Sequence, residues 1–499
     1  GSAVARLRAR LSRASTFETR FNFATQNVSA VAGSDYTAAS GTAVIPAGDT
    51  EAVIEIAVLA DAVVEPDETF RVVLSQPFNL SFATPQVLVT VVDPAYAPEV
   101  ALEQDVIGGA GGLAPLVQPS ALALSPDGEF AYVSSETRDA VLVFARDPDN
   151  GRLSYLREYR AVAGSLPEAR LDGAKHLIVS PDGRHVYVAA RNDSAIAVLS
   201  RSAGELDFVA NQVQGLNDPN ATGAPATAGL TGVVRLAMSP DGGHVYAAGS
   251  TGNSLAVFAR DADTGRLRFL EAEINGQDDS SDAGPAVSAL ERPAGLVVSP
   301  DGAQVYVAAR FSNAVLVFDR VTDPNAADSG RLSFRSALRN GLLGVSSIAG
   351  ASDLVLSADG GQLYVAAEAD NAVVLFERAA TGALTWRQAW KRGEPGLPGL
   401  SGPQALSLSP DGSELYVPGF GDSSLTIFGR NQGATDAGVL RPLQTLFDEE
   451  GELFHMGGPV AAVPSADDRH LYVVANTDSS VVVLRRLASD RIFNNGFED

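Results

Sequence analysis

Three residues with the means to do chemistry share one address in a recurring segment. His176, Arg235 and Asp353 each stand four residues before the serine of a repeated Ser-Pro/Ala-Asp tripeptide. An imidazole titrates near neutrality and can give or take a proton. A guanidinium holds a substrate carboxylate or stabilises an oxyanion, and a carboxylate orients the imidazole or a water. Lys175 and Gln404 stand one residue earlier in their copies. The same trio could instead form a structural ion pair with no substrate. The chain holds no Gly-x-Ser-x-Gly, no His-Glu-x-x-His and no phosphate loop, which favours the structural alternative.

The repeat must position these side chains. The tripeptide begins at Ser125, Ser180, Ser239, Ser299, Ser357, Ser409 and Ser465, seven copies spaced 52 to 60 residues apart. A short apolar run precedes each serine, and an Asp-Gly turn suited to a tight hairpin follows in most copies. Tyr132, Tyr187, Tyr246, Tyr306, Tyr364, Tyr416 and Tyr472 stand seven residues after the serine. A third strand leads to Arg146, Arg201, Arg260, Arg320, Arg378, Arg430 and Arg486, and a fourth opens with Gly-x-Leu in most copies. Four antiparallel strands in each of seven units predict a seven-bladed β-propeller. The seventh unit lacks its fourth strand, and the stretch from Pro98 to Val106 is a strand lying ahead of the first unit. Pairing the two closes the ring and protects its edges. A Tyr and an Arg in every blade read as scaffold, the Tyr bonding its hydroxyl and the Arg bracing a neighbouring turn or carboxylate. Alternation along the inner strands turns Ala121, His176, Arg235, Gly295, Asp353, Ala405 and Ala461 toward the channel, and the Leu or Ala that follows each packs between blades. His185, His244 and His470 share a position just before the Tyr strand, read as exposed, and His455 is a lone loop histidine.

Composition narrows the function. The 499 residues carry 60 acids against 36 bases, a net charge of −24, which disfavours nucleic acid or an anionic membrane as partner. There is no cysteine, hence no thiolate metal site or thiol nucleophile. No apolar run approaches the roughly 18 residues that span a bilayer, so membrane insertion is not expected. Gly1-Ser2 looks like a cloning scar, and a secretion signal would lie ahead of it.

The repeated units, "SPDG" followed three residues later by "YVA", resemble the YVTN and lactonase-type seven-bladed propellers. The resemblance covers about residues 97–488 and speaks to fold more than to activity. Ahead of it, Gly33-Ser34-Asp35-Tyr36, then Pro46-Ala47-Gly48-Asp49-Thr50, then Asp61, Glu65, Asp67-Glu68 and Phe70 resemble a Calx-β domain. The organisation expected is all-β: a Calx-β-like sandwich over 1–95, shortened at its first strand, a propeller over 96–488 and a tail over 489–499. In calcium-binding members the matching positions supply oxygen ligands, which implies Ca²⁺ as cofactor at Asp35, Asp61, Glu65, Glu68 and Asp93. The acidic run that closes the last strand in such members shrinks here to Asp93 before Pro94, so one weak site is expected. The alternative is that these acids only cap turns.

The connections Asn211–Gly232 and Ile274–Pro293 are the longest into inner strands, and Asp278, Asp279, Asp282, Asp448, Glu449 and Glu450 sit on such loops. Two readings follow. The first is a secreted, periplasmic or cell-surface binding or adhesion protein, a monomer. Its loop-rich propeller face would take a small molecule, a glycan or a protein. The second is a lactonase-like hydrolase or lactonising enzyme working at the channel mouth through His176, Arg235 and Asp353. The pairing of domains, the acidity and the missing catalytic signature favour the first.

Overall fold

The computed structural model describes residues 3–28, 30–59, 68–82, 85–91, 100–109, 116–161, 166–217, 225–277, 285–394, 396–433, 436–449 and 453–487. Two compact units divide the chain, Gly1–Pro98 and Glu99–Asp499. The tail expected over 489–499 lies outside the described residues.

In the first unit, Ser40–Ile45, Thr19–Asn27, Glu68–Phe78 and Gln86–Val91 form one antiparallel sheet in that order, and Ala3–Arg10 pairs with Glu51–Val58 in a second. Alternation along the strands supplies the core between them, including Phe21, Ile45, Ile54, Ile56 and Val72. Tyr36 stacks on Phe70 with ring centroids 4.1 Å apart.

In the second unit, seven four-stranded antiparallel sheets form the blades. The inner strands are Pro119–Leu124, Ala174–Val179, Val233–Met238, Pro293–Val298, Ala351–Leu356, Ser407–Leu408 and Pro459–Pro464. Val100–Ile107 supplies the outer strand of blade 7, in register from Ser480↔Ile107 to Arg486↔Val100. The ring therefore closes as the sequence predicts, two residues along from the expected start. Each blade interface holds one apolar cluster, such as Tyr132, Val141, Val143, Leu177, Val186 and Val188 between blades 1 and 2.

The repeated motif explains itself atom by atom. Ser180 Oγ donates to Asp182 Oδ1 at 2.5 Å and accepts from the His185 N–H at 3.0 Å, while Gly183 takes φ +70° in the turn. Asp182 Oδ2 then accepts from Arg260 of the next blade at 2.7 Å. Arg260 Nε also reaches the Tyr187 hydroxyl at 2.7 Å, and that hydroxyl donates to the Gly265 carbonyl at 2.8 Å. Arg320 with Tyr246 and Asp241, Arg378 with Tyr306 and Asp301, and Arg146 with Tyr472 and Asp467 repeat the arrangement. The last of these joins blade 1 to blade 7. Burial pushes the Tyr187 and Tyr472 hydroxyls up to about 12, so they stay protonated donors. The Arg and Tyr columns are thus a circular brace, as expected of residues that recur in every blade.

The reading of His185, His244 and His470 as exposed is wrong. All three are buried, at 3%, 9% and 1% exposure. The glycine that opens the next fourth strand lies on each ring, and Arg Nη2 donates to each Nδ1 at 3.0, 2.9 and 3.2 Å. Gln304 Oε1 takes the same donor from Arg378 in blade 4, at 2.5 Å. Burial, then the charge of the bonded arginine, pushes all three imidazoles below their ordinary value. The unfolded chain therefore binds these protons first, and stability is full above about pH 6.5 and falls as pH drops below it. Replacing all three by Gln, the residue blade 4 already uses, should reduce the fall of the melting temperature between about pH 6.5 and 4, leaving the part that His176 contributes. An unchanged pH slope in the triple variant would show that the histidines do not carry it.

Candidate functional site

A bulge shapes the channel mouth. Between Ala174 and His176 the inner strand of blade 2 gains a residue against its partner, and the same shift falls at the matching place in blades 1, 3, 4, 5 and 7. Such a bulge bends the strand and re-aims adjacent side chains. The following leucines, Leu177, Leu236 and Leu354, pack between blades as expected.

His176 is half-buried, and its Nδ1 accepts the Leu236 N–H of blade 3 at 3.3 Å. That bond fixes the tautomer: Nδ1 carries the lone pair and Nε2 carries the proton. Burial, with the charges of Arg235 and Lys175 acting in the same direction, pushes the imidazole well below its ordinary value. At neutral pH it is a neutral donor through Nε2.

Arg235 Nη2 bonds Asp353 Oδ1, spanning from blade 3 to blade 5. Blade 4 lies between, and its residue at this address is Gly295, without a side chain to obstruct the reach. Asp353 is 1% exposed, and its Oδ2 accepts the Leu406 N–H of blade 6 at 3.0 Å. Both of its oxygens are thus committed, and no hydrogen bond joins it to His176 among the described residues. The structure joins Arg235 to Asp353 by a hydrogen bond, whereas His176 is bonded to backbone and is linked to Arg235 by charge alone. The role of orienting the imidazole, expected for Asp353, falls instead to Leu236.

Four further residues gather on this face. Lys175 Nζ bonds Glu136 Oε2 at 2.9 Å, and Arg191 Nη1 bonds Glu136 Oε1 at 3.0 Å. Arg310 pairs with Glu368. Burial alone would raise the Glu136 carboxyl, but the two cations outweigh it and hold it below its usual value. At Glu368 burial prevails over Arg310, and the carboxyl is raised. Glu136, Arg191, Ser250, Arg310, Glu368, Phe420 and Asn476 all stand eleven residues after the serine. The column is as irregular as the inner-strand one, and that irregularity is its signal in the sequence. Aligning inner strands alone passes over it. Of the acids expected to charge this face, Asp278, Asp279, Asp282 and Glu450 lie outside the described residues, and Asp448 caps the Met456 N–H at 2.9 Å. His455, the lone loop histidine, bonds Asp105 at 3.1 Å.

The proposed calcium ligands are only partly described. Asp61, Glu65 and Asp93 lie outside the described residues, and Glu68 opens a described strand without a described side chain. Asp35 is 8% exposed, and its Oδ2 accepts the Val31 N–H at 2.6 Å. One carboxylate capping one turn is not a donor set, and no group of three or more His, Asp or Glu able to hold a metal occurs among the described residues.

Comparison with known proteins agrees with this architecture. The family described as "Lactonase, 7-bladed beta-propeller" matches residues 84–214, 164–279 and 343–491, leaving out all four strands of blade 4. The Calx-beta domain family matches 3–101. A 6-phosphogluconolactonase of Bacillus subtilis is 28% identical over 169 residues, 34% of this chain and 44% of that one. One of Formosa agariphila is 25% identical over 160 residues, 31% of this chain and 40% of that one. The chain thus spans less than half the length of the curated relatives it matches. A periplasmic gluconolactonase of Pseudomonas aeruginosa superposes with TM-score 0.51 at 19% identity, over 89% of this chain and 98% of that one, a likeness of fold. No helix among the described residues is long and apolar enough to cross a membrane. The chain belongs to the seven-bladed β-propeller lactonase family and carries a Calx-β domain ahead of its propeller.

Proposed function

We propose that the chain hydrolyses a lactone at the channel mouth. The observation that carries this is His176, a neutral imidazole locked by Leu236 as an Nε2 donor beside the cations Lys175 and Arg235. The relatives named 6-phosphogluconolactonase point to the same reaction class. Water adds to the lactone carbonyl carbon and the oxygen becomes an oxyanion. His176 Nε2–H and the nearby positive charge stabilise that oxyanion. Glu368, raised toward neutrality, is the proton acceptor for the attacking water. The intermediate collapses by breaking the ring C–O bond, the ring oxygen takes the proton as an alcohol, and a hydroxy acid leaves.

With 6-phosphogluconolactone and gluconolactone as substrates, His176→Ala should lower kcat by about a hundredfold, the usual effect of losing one oxyanion donor. Glu368→Gln should lower kcat and remove the acid limb of its pH profile. Wild-type rates in both variants, or no hydrolysis by the wild type across a panel of γ- and δ-lactones, would sink the reading.

Binding of a partner through the loop-rich face is a second reading. It is favoured by Leu216, Phe311, Leu343 and Phe454, which stand 55%, 63%, 103% and 56% exposed on loops of that face. Loss of turnover in His176→Ala belongs to the first reading only. An exported location and calcium at the sandwich are likewise proposed, on the domain pairing and the Calx-β resemblance. Cell fractionation tests the one, and the melting temperature of the full chain with and without Ca²⁺ tests the other.

A further inference from the structure

We propose that Arg292 anchors an anionic group of the bound molecule, a carboxylate or a phosphate, at the channel mouth. The proposal rests on the reading of that mouth as a substrate site. Seven residues before the serine the backbone turns left-handed. Five blades place glycine there: Gly173, Gly232, Gly350, Gly402 and Gly458, at φ +72°, +62°, +70°, +60° and +58°. Glycine accepts this conformation without a Cβ clash. Space is a second reason for it. A Cβ at Gly173, Gly232, Gly350 or Gly458 would meet Asn192, Thr251, Ala369 or Thr477 at 2.8, 2.3, 2.7 or 2.2 Å. Those four residues all stand twelve after the serine.

Blade 4 breaks both halves of this contact. Arg292 occupies the left-handed position at φ +52°, and Phe311 replaces the small residue twelve after the serine. The guanidinium lies over the Phe311 ring, 5.0 Å from its centroid, and the ring is 63% exposed. Blade 1 also departs from glycine, but with the neutral Gln118 at φ +45°. A strained backbone and an exposed aromatic both work against the fold. Such strain collects where a side chain is held for use.

The charges nearby show what the use is. Lys175, Arg191, Arg235 and Arg310 each have a carboxylate partner. Arg292 has no acid or side-chain hydrogen-bond partner among the described residues; its hydrogen bonds are made by backbone, the N–H donating to Asn253 Oδ1 at 2.9 Å and the carbonyl accepting from the Arg310 N–H at 3.1 Å. Phe311 covers one face of the guanidinium and holds it flat. The N–H edges stay open, and that fork fits the paired oxygens of a carboxylate or phosphate.

Arg292→Gly is the decisive variant, because it installs the residue that five other blades use. Its melting temperature should equal or exceed that of the wild type. KM for a lactone bearing an anionic group, tested with 6-phosphogluconolactone, should rise about ten- to hundredfold, the loss of a charge-assisted hydrogen bond. KM for neutral gluconolactone should hold. Arg292→Gln should behave alike while keeping side-chain bulk. Equal effects on the two lactones, or none on either, would overturn the anchor and leave the hydrolase reading standing. Calorimetric binding of 6-phosphogluconate and of gluconate separates the opposite failure and tells phosphate from carboxylate. If no lactone is turned over yet Arg292→Gly weakens binding of either anion tenfold or more, the hydrolase reading falls and the anchor stands. Anion binding unchanged by the substitution sinks the anchor.

Discussion

Arg235→Met should lower the unfolding free energy of the propeller by about 3–5 kcal/mol, the usual cost of stranding a buried charge by removing its partner. Asp353 is 1% exposed, and its Oδ1 has Arg235 as counter-ion. Its other oxygen is satisfied by the Leu406 N–H. The double variant Arg235→Met/Asp353→Asn removes the charge and keeps an acceptor for that N–H. It should recover most of the loss, ending within about 1–2 kcal/mol of the wild type. Both tryptophans of the chain, Trp386 and Trp390, lie in blade 5, so their fluorescence during denaturant unfolding reports the propeller alone. That matters in a two-unit chain, where one global transition is not assured. Equal midpoints for the wild type and the single variant would show that the ion pair contributes nothing to the fold. A double variant that is stable but inactive would assign Arg235 a part in catalysis beyond its structural one.

The second large effect is expected at Gly295. A Cβ built there lies 2.6 Å from the Asp353 Cα and 3.1 Å from the Ala308 Cβ. Neither contact is the far end of a flexible side chain, so Gly295→Ala must push the inner strands of blades 4 and 5 apart. Overpacking of this kind costs about 1–3 kcal/mol. The movement also spreads the two ends spanned by Arg235 and Asp353, so hydrolysis should fall with stability. Gly361→Ala is the control: its nearest contact is the side-chain oxygen of Asp359 at 3.5 Å, ordinary van der Waals range. Equal stability of the two alanine variants would show that blades 4 and 5 do not need the close approach.

The blades were legible because each device is written seven times. The serine, the tyrosine and the arginine keep fixed intervals, and those intervals are the ones that let Arg260 reach Tyr187 and Asp182 across a blade interface. The closing strand was legible as a missing piece, since the seventh unit lacks what the stretch before the first supplies. The mouth was legible only in part. His176, Arg235 and Asp353 stand out by breaking the repeat, but who pairs with whom depends on a bulge and on the empty space at Gly295, and neither has a pattern in one sequence. His185 read as exposed because its strand position alternates, whereas the glycine that covers it, Gly265, lies 80 residues away in the next blade. Arg292 went unremarked because its oddity is conformational, and φ is not written in the chain.

The seam between Val100–Ile107 and Ser480–Arg486 also sets a clock on biosynthesis. The first of these strands leaves the ribosome six blades ahead of its partner. At about 5–20 residues per second the interval is on the order of tens of seconds. Blades 1 to 6 can fold as they emerge, but blade 7 and the Arg146–Tyr472 contact must wait for the seventh unit to be made. A message truncated anywhere in blade 7 would therefore yield an unsealed arc with a sticky strand at each end, a substrate for chaperones and proteases rather than a smaller propeller.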